Sequence, residues 1–171
     1  MTCVGPQEAL GIFDALAPVD VAFMLGAWKG SGFPTGHPLD GVLEACHWHG
    51  KRLDSAESCH PLVFDTPRGR QVHVHPRWLA AGIPLALRWN FLKTRAGGRL
   101  VQWLLPLLAT QRSRARLRLA SYRGRPTATL VYDDIPVIDA FHRVDPDTVL
   151  GLMDLKGLRE PFFFVLRRER G

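Results

Sequence analysis

The chain has 171 residues, 46% of them hydrophobic and 22% charged, and a net charge of +6. That is one ordinary domain's length, able to bury a core without disulfides, and the balance excludes a disordered or fibrous chain. Three cysteines (Cys3, Cys46, Cys59) outside any CxxC spacing, and no secretory-type leader, predict reduced thiols in a cytoplasmic protein, while the longest apolar run, Leu104 to Ala109, is far too short to span a bilayer.

Residues 7–16 place Leu10, Phe13 and Leu16 at helical spacing until Pro18 stops them. A second apolar segment, Val19 to Leu25, reads as helical with Asp20 near its start. It delivers the chain into GAWKGSGFPTGHP, Gly26 to Pro38, where glycines beside Trp28 allow close backbone approach around an indole that fills a core. After Pro38, Asp40 is placed to cap a short helix through Cys46. From Trp48 the pattern turns extended, with turns at Asp54 to Glu57 and at Pro67 to Gly69, as in a meander. Residues 76–111 break that pattern with an apolar insert, expected to cover a cavity mouth, to pack on the barrel or to form a homodimer surface; Gly97-Gly98 within it reads as a loop. Five short apolar runs from Ala115 onward, parted by turn residues such as Gly124, Pro136 and Gly157, predict an antiparallel meander.

Of the 22 basic residues only four are lysines. Arg112, Arg114, Arg116 and Arg118 alternate with smaller or apolar residues, so a strand puts all four on one face. A solvated outer face is the favoured reading over a nucleic-acid or acidic-membrane patch, because Tyr122 alone supplies aromatic interleaving. No nucleic acid is expected as partner.

Gly26, Trp28 and Gly30, then TGHPLDG at Thr35 to Gly41, GKR at Gly50 to Arg52 and HPLVF at His60 to Phe64, resemble the opening of a bacterial family in which a GXWXG domain precedes a DUF4334 domain. ARLR at Ala115 to Arg118, YRG at Tyr122 to Gly124, YDDIPVID at Tyr132 to Asp139 and MDLKG at Met153 to Gly157 resemble its second part. The Gly-x-Trp-x-Gly opening is also similar to that of lipocalin-like and nitrobindin-like barrels, which enclose a hydrophobic ligand or a haem. The resemblance implies one mainly β domain over 1–171, a calycin-like antiparallel barrel with short amino-terminal helices. A GXWXG-like segment (20–75) and a DUF4334-like segment (112–170) would share it, with 76–111 as insert or lid.

Candidate chemistry is sparse. There is no nucleophile elbow, phosphate loop or dinucleotide fingerprint. His47-Trp48-His49 and His73-Val74-His75 each pair two imidazoles on one strand face, without the third ligand that zinc requires. His60, biased to an extended conformation by Pro61, is a candidate inward haem ligand or base. Asp139 lies on an otherwise apolar face between Val137 and Phe141, where a carboxylate must find a donor or keep its proton. Asp154 and Lys156 share a face by the same count and are expected opposite Asp139. Cys46 and Cys59 read as core thiols.

These observations lead to two expectations. The first is binding of a hydrophobic small molecule, lipid-like or polyketide-like, or a haem through His60, in a barrel lined by Trp28, Phe141, Asp134, Met153 and Phe164. The second is a cavity hydrolase, isomerase or cyclase in which Asp139 with Asp154, Lys156 or His60 moves a proton.

Overall fold

The computed structural model describes residues 4–78 and 94–170. Ten strands make one antiparallel sheet: β1 (Ala17–Pro18), β2 (Gly26–Gly32), β3 (Trp48–Leu53), β4 (Cys59–Asp65), β5 (Gln71–His73), β6 (Ala115–Tyr122), β7 (Arg125–Tyr132), β8 (Val137–Asp145), β9 (Thr148–Leu155) and β10 (Phe162–Arg168). Eight of them close into a ring in the order β8, β7, β6, β4, β3, β2, β10, β9 and back to β8, while β1 adds to β8 and β5 to β4. Both sequence segments supply strands to this ring. The carboxy-terminal runs form the expected meander, and β6 turns into β7 through Arg123 and Gly124, both at positive φ, which suits the right-handed twist of a tight hairpin. The weakest seam lies between β4 and β6, where Cys59 opposite Ala115 is the one paired position. There the Ser113 hydroxyl accepts the Cys59 N–H at 3.0 Å.

Alternation sorts the residues. Val137, Asp139 and Phe141 of β8, Val149 and Met153 of β9, and Phe162, Phe164 and Leu166 of β10 face the barrel interior with Trp28, Trp48, Leu53, Phe64, Leu117 and Leu130. The intervening Ala140, Leu150, Leu152 and Phe163 form a second cluster on the outer face. Helix α1 (Pro6–Ala15) covers that cluster with Ala9 and Phe13, as its apolar spacing predicts. Helix α2 (Val21–Met24) is capped by Asp20, whose carboxylate accepts the Phe23 N–H at 2.7 Å.

Two local expectations are corrected. Asp40 does not cap α3 (Val42–Ala45); Gly41 takes the capping position at φ 81°, and the Asp40 carboxylate instead accepts the N–H groups of Thr35 and Gly36. Gly97-Gly98 is helical, inside α4 (Arg95–Leu104), because the missing side chain lets the helix approach α3: a Cβ on Gly98 would sit 2.2 Å from the Ala45 carbonyl oxygen. Of the insert predicted over 76–111, residues 79–93 lie outside the described residues, so its role as a lid falls there too.

Arg116 and Arg118 do project outward from β6 and pair with Asp133 and Glu57, and Arg114 pairs with Asp134. Cys46 and Cys59 are buried, and burial pushes their thiols up to about 11 and about 12, so neither is poised as a nucleophile.

Candidate functional site

Strand β3 carries the residue that organises the interior. Strict alternation from the inward Trp48 would point Lys51 to solvent. The register slips on both sides of Gly50, however, and this bulge exchanges the faces, so that Lys51 and Leu53 turn inward and Arg52 outward. Glycine is required at the slip: it sits at φ 149°, and a Cβ there would lie 1.9 Å from the Trp28 carbonyl oxygen.

Inside the barrel, Lys51 is 3% exposed and Asp139 is fully buried. The Lys51 ammonium donates to Asp139 Oδ2 at 2.7 Å, to the Tyr132 hydroxyl at 3.2 Å and to the Pro61 carbonyl at 3.2 Å, which occupies its three protons. The Tyr132 hydroxyl in turn donates to Asp139 Oδ2 at 2.9 Å. The ammonium lies 4.9 Å from the Phe164 ring centroid and 5.6 Å from those of Trp48 and Tyr132, an aromatic cage suited to a cation out of water. Burial, with the Asp139 charge and hydrogen bond added, raises the Tyr132 phenol well above its ordinary value, so it stays a proton donor. Two buried polar atoms beside this network have no partner among the described residues: Asp139 Oδ1, an acceptor, and Trp48 Nε1, a donor. Asp139 pairs in register with half-buried Met153, and Ile135, Leu155 and Leu158 are likewise only partly covered at that end of the core.

The predicted residues distribute unevenly around this centre. Asp139, Trp28, Phe141, Met153 and Phe164 belong to the interior. Asp154 does not face Asp139: it is paired in register with Ile138 on the outer face, where it accepts the Tyr122 hydroxyl at 3.2 Å. Lys156 is exposed in the turn after β9. The lysine that meets Asp139 is Lys51, which the period-two count conceals behind the bulge. Asp134 lies in the β7–β8 turn, 3.4 Å from Arg114 and 3.7 Å from His75, outside the barrel. His60 is opposite the exposed Arg52 and hence outward; its ring lies against that of His73, tilted by 33° with 3.9 Å between centroids. Burial lowers the pKa of both rings.

Comparison with known proteins bears on the whole chain. The family model described as GXWXG protein matches residues 11–69, and that described as a domain of unknown function, DUF4334, matches 113–168. The chain belongs to the GXWXG–DUF4334 family. A crystal structure of a protein from Thermomonospora curvata is 32% identical, covering 94% of this chain and 85% of that one, with a TM-score of 0.69. No curated protein matches.

The GXWXG signature has a packing explanation. Gly26 adopts φ 121°, Trp28 is fully buried, and Gly30 leaves room for the Trp48 ring, which a Cβ would meet at 2.1 Å. In this chain rings are therefore seated over glycines inside the barrel, and Gly151 likewise receives Phe164. A haem held by His60 does not fit this arrangement, since that imidazole stands on the outer wall. No cluster of three or more metal-ligating side chains occurs among the described residues.

A second titratable centre lies on the outer wall. His49 Nδ1 is 3.0 Å from the Asp65 carboxylate, and Nε2 is 2.9 Å from Glu169, which follows β10. Burial opposes a charge there, but the two carboxylates outweigh it and raise the His49 pKa above its ordinary 6.5. A histidine with a raised folded pKa contributes stability that is complete below about 6.5 and is lost as pH rises through the folded value. The melting temperature of the native chain relative to His49→Gln should therefore be highest near pH 6 and fall toward pH 8. A constant difference across that interval would refute the ion-paired imidazolium.

Proposed function

We propose that the barrel binds a small, largely apolar molecule, lipid-like or polyketide-like, through a single hydroxyl group. The observation that carries this reading is the pair of buried atoms without a partner among the described residues, Asp139 Oδ1 and Trp48 Nε1. A hydroxyl both donates and accepts, so it offers the kind of partner that each atom lacks, whereas leaving such an atom unpaired costs about 1–3 kcal/mol. An eight-stranded barrel has an interior just wide enough for side chains or one small ligand. The partly buried Ile135, Met153, Leu155 and Leu158 make the end of the core where Asp139 pairs with Met153 apolar. Lys51 and Tyr132 hold the other carboxylate oxygen, which fixes the direction in which Oδ1 points.

The test is native against denaturing mass spectrometry of the fresh protein, followed by titration with a medium-chain primary alcohol and its methyl ether. The alcohol should bind at least about tenfold more tightly, because the ether offers no proton to Asp139. Asp139→Asn should erase most of that difference. Equal affinity for alcohol and ether would overturn the proposal.

The same carboxylate favours a second reading, an acid–base enzyme. Asp139 Oδ1 would take a proton from a bound substrate, while the Lys51 ammonium stabilises the charge that develops nearby. Turnover abolished by Asp139→Asn with substrate binding kept would favour it over simple binding.

A further inference from the structure

Helix α4 is inverted relative to an ordinary surface helix. Its inner face is made of Gly97, Gly98, Val101 and Gln102, continued by Leu105, which is 1% exposed. This face is fastened to α3, with Gln102 donating to the Cys46 carbonyl at 2.7 Å. The opposite face presents Leu100, Trp103 and, in the 3-10 turn Leu105–Leu108 that follows, Leu107 at spacings of three and four residues. Trp103 is 74% and Leu107 75% exposed, and Leu100 is half exposed. Trp78 is 57% exposed, and it follows His75, whose N–H is bonded to the Leu108 carbonyl at the end of the same turn. Four of the seven large apolar side chains exposed among the described residues thus fall on this stretch, both exposed tryptophans included.

Charge selects the occupant. Between Asp65 and Asp133 the sequence has thirteen arginines and lysines and not one aspartate or glutamate. Arg77 and Arg99 lie beside the exposed apolar residues, Arg112 follows a few residues later, and all three are exposed without an ion pair among the described residues. A second copy of the chain docking here about a two-fold axis would bring two copies of this cationic patch together. An anionic lipid surface instead complements them, and tryptophan and leucine with flanking arginines is the composition of a helix lying in a bilayer interface.

We infer that the α4 face, with Leu100, Trp103, Leu107 and Trp78 inserted and Arg77, Arg99 and Arg112 at the headgroups, docks the protein on an anionic membrane surface. The interior site does not enter this argument.

Cosedimentation with vesicles of phosphatidylcholine alone, and with one quarter phosphatidylglycerol, tests it. The native chain should partition onto the acidic vesicles, with a blue-shifted tryptophan emission, and release as salt rises. Trp103→Glu or Leu107→Glu should weaken partitioning at least about tenfold, as expected for losing one buried large apolar side chain. Arg77→Gln and Arg99→Gln should each weaken it about fivefold. The exposed position of Trp103 means that its variant should melt with the native protein, which separates a docking defect from misfolding. Absence of binding to acidic vesicles at low salt overturns the inference. So does binding that Trp103→Glu leaves unchanged, the signature of a purely electrostatic surface such as one for nucleic acid. A dimer in solution that Trp103→Glu dissociates, without vesicle binding, would assign the face to a second copy instead.

Discussion

Lys51→Met is expected to cost about 3–5 kcal/mol of folding stability, read as a drop in the urea midpoint at constant slope, because it strands a buried carboxylate. Asp139 is fully buried, and Lys51 is the cation bonded to it, at 2.7 Å. The methionine keeps much of the side-chain volume among Trp48, Tyr132 and Phe164, so the loss reports on charge rather than on a cavity. Replacing the network together, Lys51→Met with Asp139→Leu and Tyr132→Phe, should restore most of that stability, since a buried ion pair exchanged for well-packed apolar groups is commonly neutral or favourable. The restored variant then separates structure from function. A fold that no longer needs the network, yet no longer prefers an alcohol over its ether, places the binding proposal on Asp139 itself. A Lys51→Met protein as stable as the native chain would instead show that the pair is hydrated in solution.

The antiparallel strands were legible in the sequence because their signals are local and repeated, whereas their closure into a barrel was implied by the family resemblance. Alternation in β6 to β10, the Arg123-Gly124 turn and the glycines around Trp28 each specify extended, closely approaching chain without knowledge of a partner. Asp139 was legible for the same reason, an inward carboxylate among Val137 and Phe141. Lys51 was not, because its direction depends on the bulge at Gly50, and no rule of period two survives a slipped register. His60 failed similarly: an imidazole at the head of an apolar strand was expected inside, but every residue of β4 except Asp65 is buried, on both faces, so burial did not imply the interior. Asp154 was misplaced by the pairing of β9 with β8, which sets Met153 rather than Asp154 opposite Asp139. The outer face of α4 carries a signal that amphipathic reasoning reads backwards, since its large apolar residues point away from the core.

Trp28→Ala should be the most damaging change to the family signature, with a loss of about 3–5 kcal/mol and a melting temperature lowered accordingly. Trp28 ties two separate elements, α2 and β10, to its own strand. Its ring is fully buried, its indole N–H donates to the Met24 carbonyl at 2.8 Å, closing off α2, and the Arg168 guanidinium carbon lies 4.2 Å from the ring centroid. Arg168, at the end of β10, also donates to the Leu25 and Phe23 carbonyls, so the indole is the surface against which both chain segments are clamped. Trp28→Phe retains the ring but not the N–H, and should lose less, about 1–3 kcal/mol for the unpaired Met24 carbonyl. The ordering native, Trp28→Phe, Trp28→Ala in urea midpoint is the expected result, and a Trp28→Ala protein that melts with the native chain would remove the anchor role. Because Trp28 meets neither Asp139 Oδ1 nor Trp48 Nε1 through a hydrogen bond, any folded fraction of the alanine variant should still prefer an alcohol over its ether. Asp139→Asn should change that preference, and should also cost stability, because it leaves the buried Lys51 ammonium without its counter-ion. If both variants lowered stability and preference in parallel, the interior would be one packed unit and the hydroxyl site would have no separate existence.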